Sequence, residues 1–390
     1  MIAILHNKRL KTISRRHPWV FSGAIRRFEG SPGAGDIVTL ASEDDRFLAR
    51  GIWNPASSIR LRVLTWDDEP INADFWMRRL RQSVERRGKI PRGEARRLIN
   101  AENDYLPGLI VDQYGEWLVL QALVAGIDRH KHEIAEMLMQ IVRPRGIYER
   151  SDADARKREE LNLETGLLHG EEPPALIEIT ENENRFLVDI REGQKTGFYL
   201  DQRENRHILA EYITPGMHVL NAFAYTGGFA VYAYAAGAEN VVSIDSSESA
   251  LELADRNLQL NGFEDTPLIS GNVFEVLRDY QDSGDTFDAI ILDPPKFAKT
   301  KQQVKSALRG YKEINLIAFR LLNPGGLLMT FSCSGSVEQD LFRKVVFGAL
   351  EDSGREAQIL RQLEAPPDHP VALTFPEGMY LKGLLCQVVD

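Results

Sequence analysis

Cysteine is nearly missing from this chain. Only Cys333 and Cys386 occur among 390 residues, which excludes a disulfide framework and a multi-cysteine zinc site. No spacing of histidines, cysteines and carboxylates suggests another ligand set, so no metal is expected. Two isolated cysteines fit a reducing compartment, and a cytoplasmic location is expected. Long apolar runs are missing as well. The longest candidate, Phe229 to Ala238, is broken by Gly237 and falls far short of the ~18 residues of a membrane span. The opening stretch carries Lys8, Arg9 and Lys11 where a signal peptide needs apolar residues, so no membrane partner is expected. What is present is ordinary globular material. At 43% hydrophobic and 8% aromatic the chain is not disordered, and its length suits two or three domains.

The net charge of -10 hides an asymmetry. Residues 1–100 hold 20 Lys+Arg against 11 Asp+Glu, a balance of +9, and the remaining 290 residues carry a balance of -19. A basic front on an acidic chain suggests an anionic partner, most commonly nucleic acid. An ordinary solvated face is the alternative.

Four segments emerge along the chain. Residues 1–70 read as a small β-barrel, with strands expected at Ile2–Leu5, Trp19–Ile25, Asp36–Leu40, Phe47–Trp53 and Ile59–Leu64, and with turn residues between them. Residues 71–91 contain a helix over 72–88, with Phe75, Trp76, Leu80 and Val84 on one face. Residues 92–190 read as a small α+β domain with one helix over Asp128–Val142 and a hairpin around Asn182-Glu183-Asn184. From 191 to 390 strands and helices alternate, which predicts a doubly wound, mainly parallel sheet. Ligands then belong at the carboxyl ends of its strands, at the switch point.

The chemistry-bearing residues fall at those strand ends. The expected strand Met217–Phe223 runs through Ala224-Tyr225-Thr226 into Gly227-Gly228 and an apolar helix, a turn that lets a ligand approach backbone N–H groups at a helix N-terminus. It is not a G-x-G-x-x-G, so dinucleotide binding is poorly supported. The next strand ends at Asp245, where a carboxylate characteristically accepts ribose hydroxyls. A capping role for Asp245 is less needed, because Ser246 and Ser247 offer caps. Asn272, after the third strand, is placed to meet an adenine. The fourth strand ends in Asp293-Pro294-Pro295-Lys296-Phe297, a rigid loop suited to hydrogen bonding a flat heterocycle. The next ends in Ser332-Cys333-Ser334-Gly335, with a helix N-terminus expected at Val337 to favour a thiolate. Cys333 thus reads as a nucleophile facing the Asp293 loop. Cys386, inside Leu384-Leu385-Cys386-Gln387-Val388, reads as core.

These motifs together resemble the class I S-adenosylmethionine-dependent methyltransferases, a Rossmann-like α/β fold. The likeness is closer still to the bacterial 23S rRNA cytosine-5 methyltransferases of the large-subunit methyltransferase I family. It is carried by the run 221–229, Asp293 to Phe297, Arg309-Gly310-Tyr311-Lys312, Phe331 to Gly335, and the run from Pro376 to Gly383. Arg16-His17-Pro18-Trp19-Val20-Phe21-Ser22-Gly23 resembles that family's PUA domain, an RNA-binding β-barrel. The resemblance spans essentially the whole chain and implies methylation of one cytosine of 23S ribosomal RNA at C5, with S-adenosyl-L-methionine as cofactor. A homodimer is compatible with it. It implies cofactor contacts at Phe223, Tyr225, Thr226, Gly227, Gly228, Asp245, Asn272 and Asp293, and a pocket lid from Phe198, Asp201 and Gln202. It implies catalysis by Cys333 and Asp293. Related pockets often carry Asp where this chain has Asn272.

The chemistry explains the need for a thiol. C5 of cytosine is a poor nucleophile, and addition of a thiolate at C6 makes it enamine-like. A carboxyl near N3 and the exocyclic amine stabilises the charge shift, and a base removes the C5 proton. His369, Glu377 and water are open for that role. Rival readings are an RNA uracil-5 methyltransferase, a nitrogen-directed rRNA methyltransferase that needs no thiol, and a non-catalytic RNA-binding assembly factor.

Overall fold

The computed structural model describes residues 1–89, 91, 93–298 and 300–390. The boundary expected between residues 91 and 92 touches Ile90 and Arg92, which lie outside the described residues. The chain divides into two compact units: residues 1–179, 188–200 and 367–378, and residues 180–187, 201–366 and 379–390.

In the first unit, a six-stranded sheet is ordered Trp19–Phe21, Ile59–Thr65, Phe47–Trp53, Ile37–Ala41, Ile2–Leu5, Ile25–Glu29. It encloses one core that includes Ala3, Leu5, Val20, Leu40, Trp53, Leu61 and Val63. The run expected as a single strand over Trp19–Ile25 is two strands separated by a 3-10 turn at Ser22–Ala24. A short helix, Leu10–Ser14, was not legible because five residues give no period to read.

Helix Ala73–Arg86 starts where Asn72 caps it, its side-chain oxygen accepting the Phe75 N–H at 3.0 Å. It buries Phe75, Trp76 and Leu80, each worth ~2–3 kcal/mol. A five-stranded sheet follows, ordered Glu164–Gly170, Gly146–Ser151, Trp117–Ala122, Leu109–Tyr114, Ala95–Asn100, with helix Ala125–Val142 packed on it. Strand Glu164–Gly170 was not expected. It lies at the sheet edge, largely exposed, and so lacks an apolar alternation. Buried ion pairs fix this unit: Arg87 spans both oxygens of Asp104 at 2.7 and 2.6 Å, and Arg97 those of Asp112 at 2.8 and 2.9 Å.

The second unit is built on a seven-stranded sheet ordered Leu268–Ser270, Asn240–Asp245, His218–Ala222, Phe287–Leu292, Leu322–Ser332, Lys382–Val388, Ala357–Leu363. The first five run parallel and the last two pair antiparallel. The five inner strands are largely buried and apolar, as strands covered on both faces must be, while the edge strands Leu268–Ser270 and Ala357–Leu363 are more exposed. Chain order reverses between His218–Ala222 and Phe287–Leu292, so their carboxyl ends open the crevice of a doubly wound sheet. No helix among the described residues is long and apolar enough to cross a membrane.

Candidate cofactor and thiol site

The turn after His218–Ala222 carries strain. Phe223 and Tyr225 adopt left-handed φ angles of 63° and 47° although neither is glycine, and such residues concentrate at functional sites. Hydrogen bonds over-determine the conformation: the Tyr225 N–H donates to Asp245 Oδ2 at 2.8 Å, Ala224 N–H to Ile244 O at 2.9 Å, and Gly227 N–H to Ala224 O at 3.0 Å. Gly227, at φ 78°, caps helix Gly228–Ala235. A Cβ there would lie 3.1 Å from Ala254 Cβ, and one on Gly228 would lie 3.0 Å from Arg206 Cδ. The two glycines thus let helix Gly228–Ala235 pack closely against Glu248–Leu260 and Arg203–Tyr212. Arg206 is itself clamped by Glu181 through two 2.8 Å bonds. The positive end of helix Gly228–Ala235 therefore faces the crevice at the strand tips.

Asp245 Oδ1 accepts the Ser247 N–H at 2.9 Å, while Ser247 caps helix Glu248–Leu260. A carboxylate has about four acceptor positions, so two remain for hydroxyl donors. Asn272 is exposed and caps helix Val273–Ser283, its oxygen taking the Phe274 N–H at 3.1 Å. The Thr226 hydroxyl is buried with no partner among the described residues. The orphaned hydroxyl, the close-packed glycine turn and the carboxylate with spare acceptors are what a ribose-bearing cofactor requires, and the residues fit S-adenosylmethionine.

The expected lid residues fall on either side of the boundary at residues 200 and 201. Phe198 belongs to the first unit, where its N–H donates to Tyr114 Oη at 3.3 Å. Asp201 and Gln202 belong to the second, with Tyr380 Oη donating to Asp201 and Asn205 Nδ2 donating to Gln202 Oε1 at 2.6 Å.

Cys333 is partly exposed and follows strand Leu322–Ser332. Its Sγ lies 3.9 Å from Pro294 O, so the thiol meets the Asp293-Pro294-Pro295 loop. Three side chains lace the two loops together. Tyr311 Oη is 2.9 Å from Ser332 Oγ and 3.1 Å from Ser334 Oγ, and Ala298 N–H donates to Ser334 Oγ at 3.2 Å. Phe297 packs at 4.7 Å on the Tyr311 ring and at 6.3 Å on Phe223.

The helix expected to begin at Val337 begins at Gln339. Val337 is instead a fully buried anchor of a turn, its N–H donating to Ser334 O at 3.0 Å. The positive charge near the thiol comes from Lys382, which no expectation named. Lys382 pairs with Ser332 across the antiparallel ladder. Its ammonium donates to Ser334 O at 2.8 Å and Val337 O at 2.6 Å. Only 5% of the residue is exposed, and no carboxylate among the described residues comes within 4.0 Å of it. Burial pulls its pKa down to about 8, with the Cys333 thiolate opposing that and Lys296 adding to it. The available signal was a lone lysine heading an apolar strand, within the string 376–383 already noted. Cys386 is buried in the same strand, and burial pushes its thiol up to about 12.

His369 and Glu377 lie in the first unit. His369 is buried, with Nδ1 3.3 Å from Asp368, and Glu377 meets His17 Nε2 at 3.2 Å. Among the described residues one carboxylate trio, Asp128, Glu149 and Glu164, closes to within 4.8 Å. Lys131 sits among all three, 3.0 Å from Glu149 and 3.5 Å from Asp128, so a protein cation already balances the group.

The sheet order, the glycine turn and the acidic second strand end define an S-adenosylmethionine-dependent methyltransferase, preceded by a PUA-like domain. Family models agree: one for S-adenosylmethionine-dependent methyltransferases matches residues 156–385, and one for PUA-like domains matches residues 3–66. The chain is 49% identical over 383 residues to ribosomal RNA large subunit methyltransferase I of Aeromonas salmonicida, covering 97% of this chain and 96% of that one. It is 49% identical over 392 residues to the protein of that name from Tolumonas auensis, covering 99% and 98%. Among solved structures, a SAM-dependent methyltransferase from Streptococcus mutans superposes with a TM-score of 0.85 at 22% identity, over 100% of both chains, and a methyltransferase complexed with SAH with 0.86 at 23%, also over 100% of both. The chain belongs to the ribosomal RNA large subunit methyltransferase I family.

Proposed function

We propose that this protein methylates C5 of one cytosine in 23S ribosomal RNA, in the cytoplasm, through a covalent bond between Cys333 and C6 of the target base. The observation that carries the reading is the 3.9 Å approach of the Cys333 thiol to the carbonyl of Pro294, the residue after Asp293, with the buried Lys382 ammonium bonded to the carbonyl of Ser334, the residue after the thiol. A nitrogen-directed enzyme has no use for a thiol at that spot.

Phe223, Tyr225, Thr226, Gly227, Gly228, Asp245 and Asn272, with Asp201, Gln202 and Phe198, are the residues proposed to hold the cofactor. When bound, S-adenosylmethionine supplies an electrophilic methyl group. The chain's own residues do the rest. Lys382 favours the Cys333 thiolate, being a buried charge without a carboxylate partner. The thiolate adds to C6, and the displaced electron pair moves through the ring to make C5 nucleophilic. Asp293 holds the N3 and amino edge, stabilising that shift. After C5 has been alkylated, its proton leaves to a base, and the C6–S bond breaks to return the thiolate. The target must leave its stack to reach this crevice. The division into residues 1–70, 71–91, 92–190 and 191–390 belongs to the same proposal, the basic front binding RNA. Mapping of methylcytosine by mass spectrometry, in rRNA from cells with and without the gene, tests the reading. One 23S cytosine should lose its C5 methyl group, and an unchanged map would overturn it.

A further inference from the structure

In the first unit a cavity of about 310 Å³ is lined by Arg16, Trp66, Asp67, Arg79, Tyr105 and Thr374. Its wall holds no aliphatic side chain. Arg79 stands on helix Ala73–Arg86 with its guanidinium 5.4 Å from the Phe75 ring and 5.7 Å from the Tyr105 ring. Among the described residues it makes one hydrogen bond, a long one of 3.4 Å to Leu64 O, and its Nε is buried with no partner among them. No carboxylate among the described residues lies within ion-pair distance of it. Burial lowers its pKa, Arg78 and Arg86 act in the same direction, and Glu69 and Asp67 oppose them. Trp66 follows strand Ile59–Thr65, packs on the core of the six-stranded sheet, and has a buried indole N–H with no acceptor among the described residues. Its ring meets Tyr105 edge-on at 6.5 Å. Tyr105 is held in a left-handed conformation at φ 60°, as is Arg16.

A half-buried guanidinium with no carboxylate at contact distance among the described residues, and a buried indole N–H with no acceptor among them, are costly to leave unsatisfied. Their ligand should therefore bring negative charge and hydrogen-bond acceptors. A bare inorganic anion would leave both aromatic side chains unused, and an apolar peptide would strip water from the arginines without replacing it. An aromatic ring carrying acceptors and tied to a phosphate answers every group, with the Asp67 carboxylate available for an exocyclic amine. This combination of arginine and aromatic side chains is how proteins seize unstacked bases of single-stranded RNA. We propose that the cavity holds one unpaired nucleotide of the RNA substrate, its phosphate between Arg16 and Arg79 and its base against Trp66 and Tyr105. The proposal rests on the reading that the substrate is RNA, and it adds a second point of recognition to the methylation crevice.

The full-length protein is titrated with a labelled single-stranded RNA oligonucleotide, and the bound complex is crosslinked at 254 nm and mapped. Arg16→Gln with Arg79→Gln should weaken binding at least tenfold and flatten its salt dependence. Trp66→Leu, which keeps the charge, should weaken it about fivefold or more. S-adenosylmethionine affinity should be unchanged in both, and a wild-type urea midpoint read by the fluorescence of the tryptophans that remain, all in the first unit, shows that the variants are folded. The crosslink should fall on the peptides holding Trp66 or Tyr105. Wild-type affinity in both variants, with crosslinks elsewhere, would overturn the cavity assignment while leaving the RNA reading standing. CMP or AMP binding as tightly as the oligonucleotide would overturn it in favour of a free-nucleotide site. Failure of the wild-type protein to bind any rRNA fragment would remove the RNA reading and this proposal with it.

Discussion

Replacing Lys382 by methionine should separate stability from chemistry. The fall from 10.5 to about 8 corresponds to ~3 kcal/mol by which the folded state disfavours the ammonium. That penalty is complete below pH 8. Between pH 8 and 10.5 the unfolded chain keeps the proton and the folded chain releases it, so wild-type stability rises with pH through this window. Lys382→Met removes the charge and, with it, the rise. At pH 7.5 the variant should be at least as stable as wild type, because exchanging a buried charge for an apolar side chain is often neutral or stabilising. At pH 10.5 wild type should have gained up to ~3 kcal/mol on the variant. Tryptophan fluorescence does not report on this unit, since Trp19, Trp53, Trp66, Trp76 and Trp117 all lie in the other one. Cys386, on the same strand as Lys382 and 3% exposed, is the natural reporter. Its urea midpoint is read by pulsed iodoacetamide labelling and mass spectrometry. Alkylation of Cys333 in the native variant at pH 7 should slow about tenfold, the loss of ~1.4 kcal/mol of thiolate stabilisation, and methyl transfer should fall with it. Parallel pH profiles of the two midpoints, with undiminished Cys333 labelling, would refute the reasoning.

Other outcomes follow from the cofactor turn and the basic front. Asp245→Ala removes the acceptor of the Tyr225 and Ser247 N–H groups and should weaken S-adenosylmethionine binding by ~1–3 kcal/mol, measured by calorimetry. Gly227→Ala forces a side chain into φ 78°, with its Cβ 3.1 Å from Ala254, and should lower stability by ~1–2 kcal/mol in urea titrations. RNA affinity should fall steeply with salt, and replacing Arg15 and Arg16 together by glutamine should reduce that slope. A slope unaffected by the change would place the phosphate contacts elsewhere.

The second unit was legible because its strands are short apolar runs broken by glycine and proline, and because each strand tip carries an unusual residue. Asp245, Asp293 and Cys333 could be picked out without knowing their neighbours. Lys382 could not, since its role depends on an antiparallel strand joining the sheet from 50 residues downstream of Ser332. Val337 misled for a related reason: its apolar side chain fits a helical period, yet it is drawn into the core as a turn anchor, and the helix starts two residues later at Gln339. In the first unit, strand Glu164–Gly170 escaped because an exposed edge needs no hydrophobic alternation. The cavity of Arg16, Trp66, Arg79 and Tyr105 escaped because it joins residues scattered over 359 positions, to Thr374. Periodicity reports elements, and it carries no information on such long-range meetings.

The central claim is that Cys333 bonds to the target base. A 5-fluorocytosine in place of the target cytosine blocks the last proton removal, so the adduct should accumulate. Wild-type protein incubated with such a 23S rRNA fragment and S-adenosylmethionine should give a complex that survives denaturation, with the crosslinked peptide containing Cys333. Cys333→Ala should give none, while Cys386→Ala should give as much as wild type. A folded Cys333→Ala protein that still methylates the fragment at the normal rate, or an adduct mapped to another residue, would contradict the account.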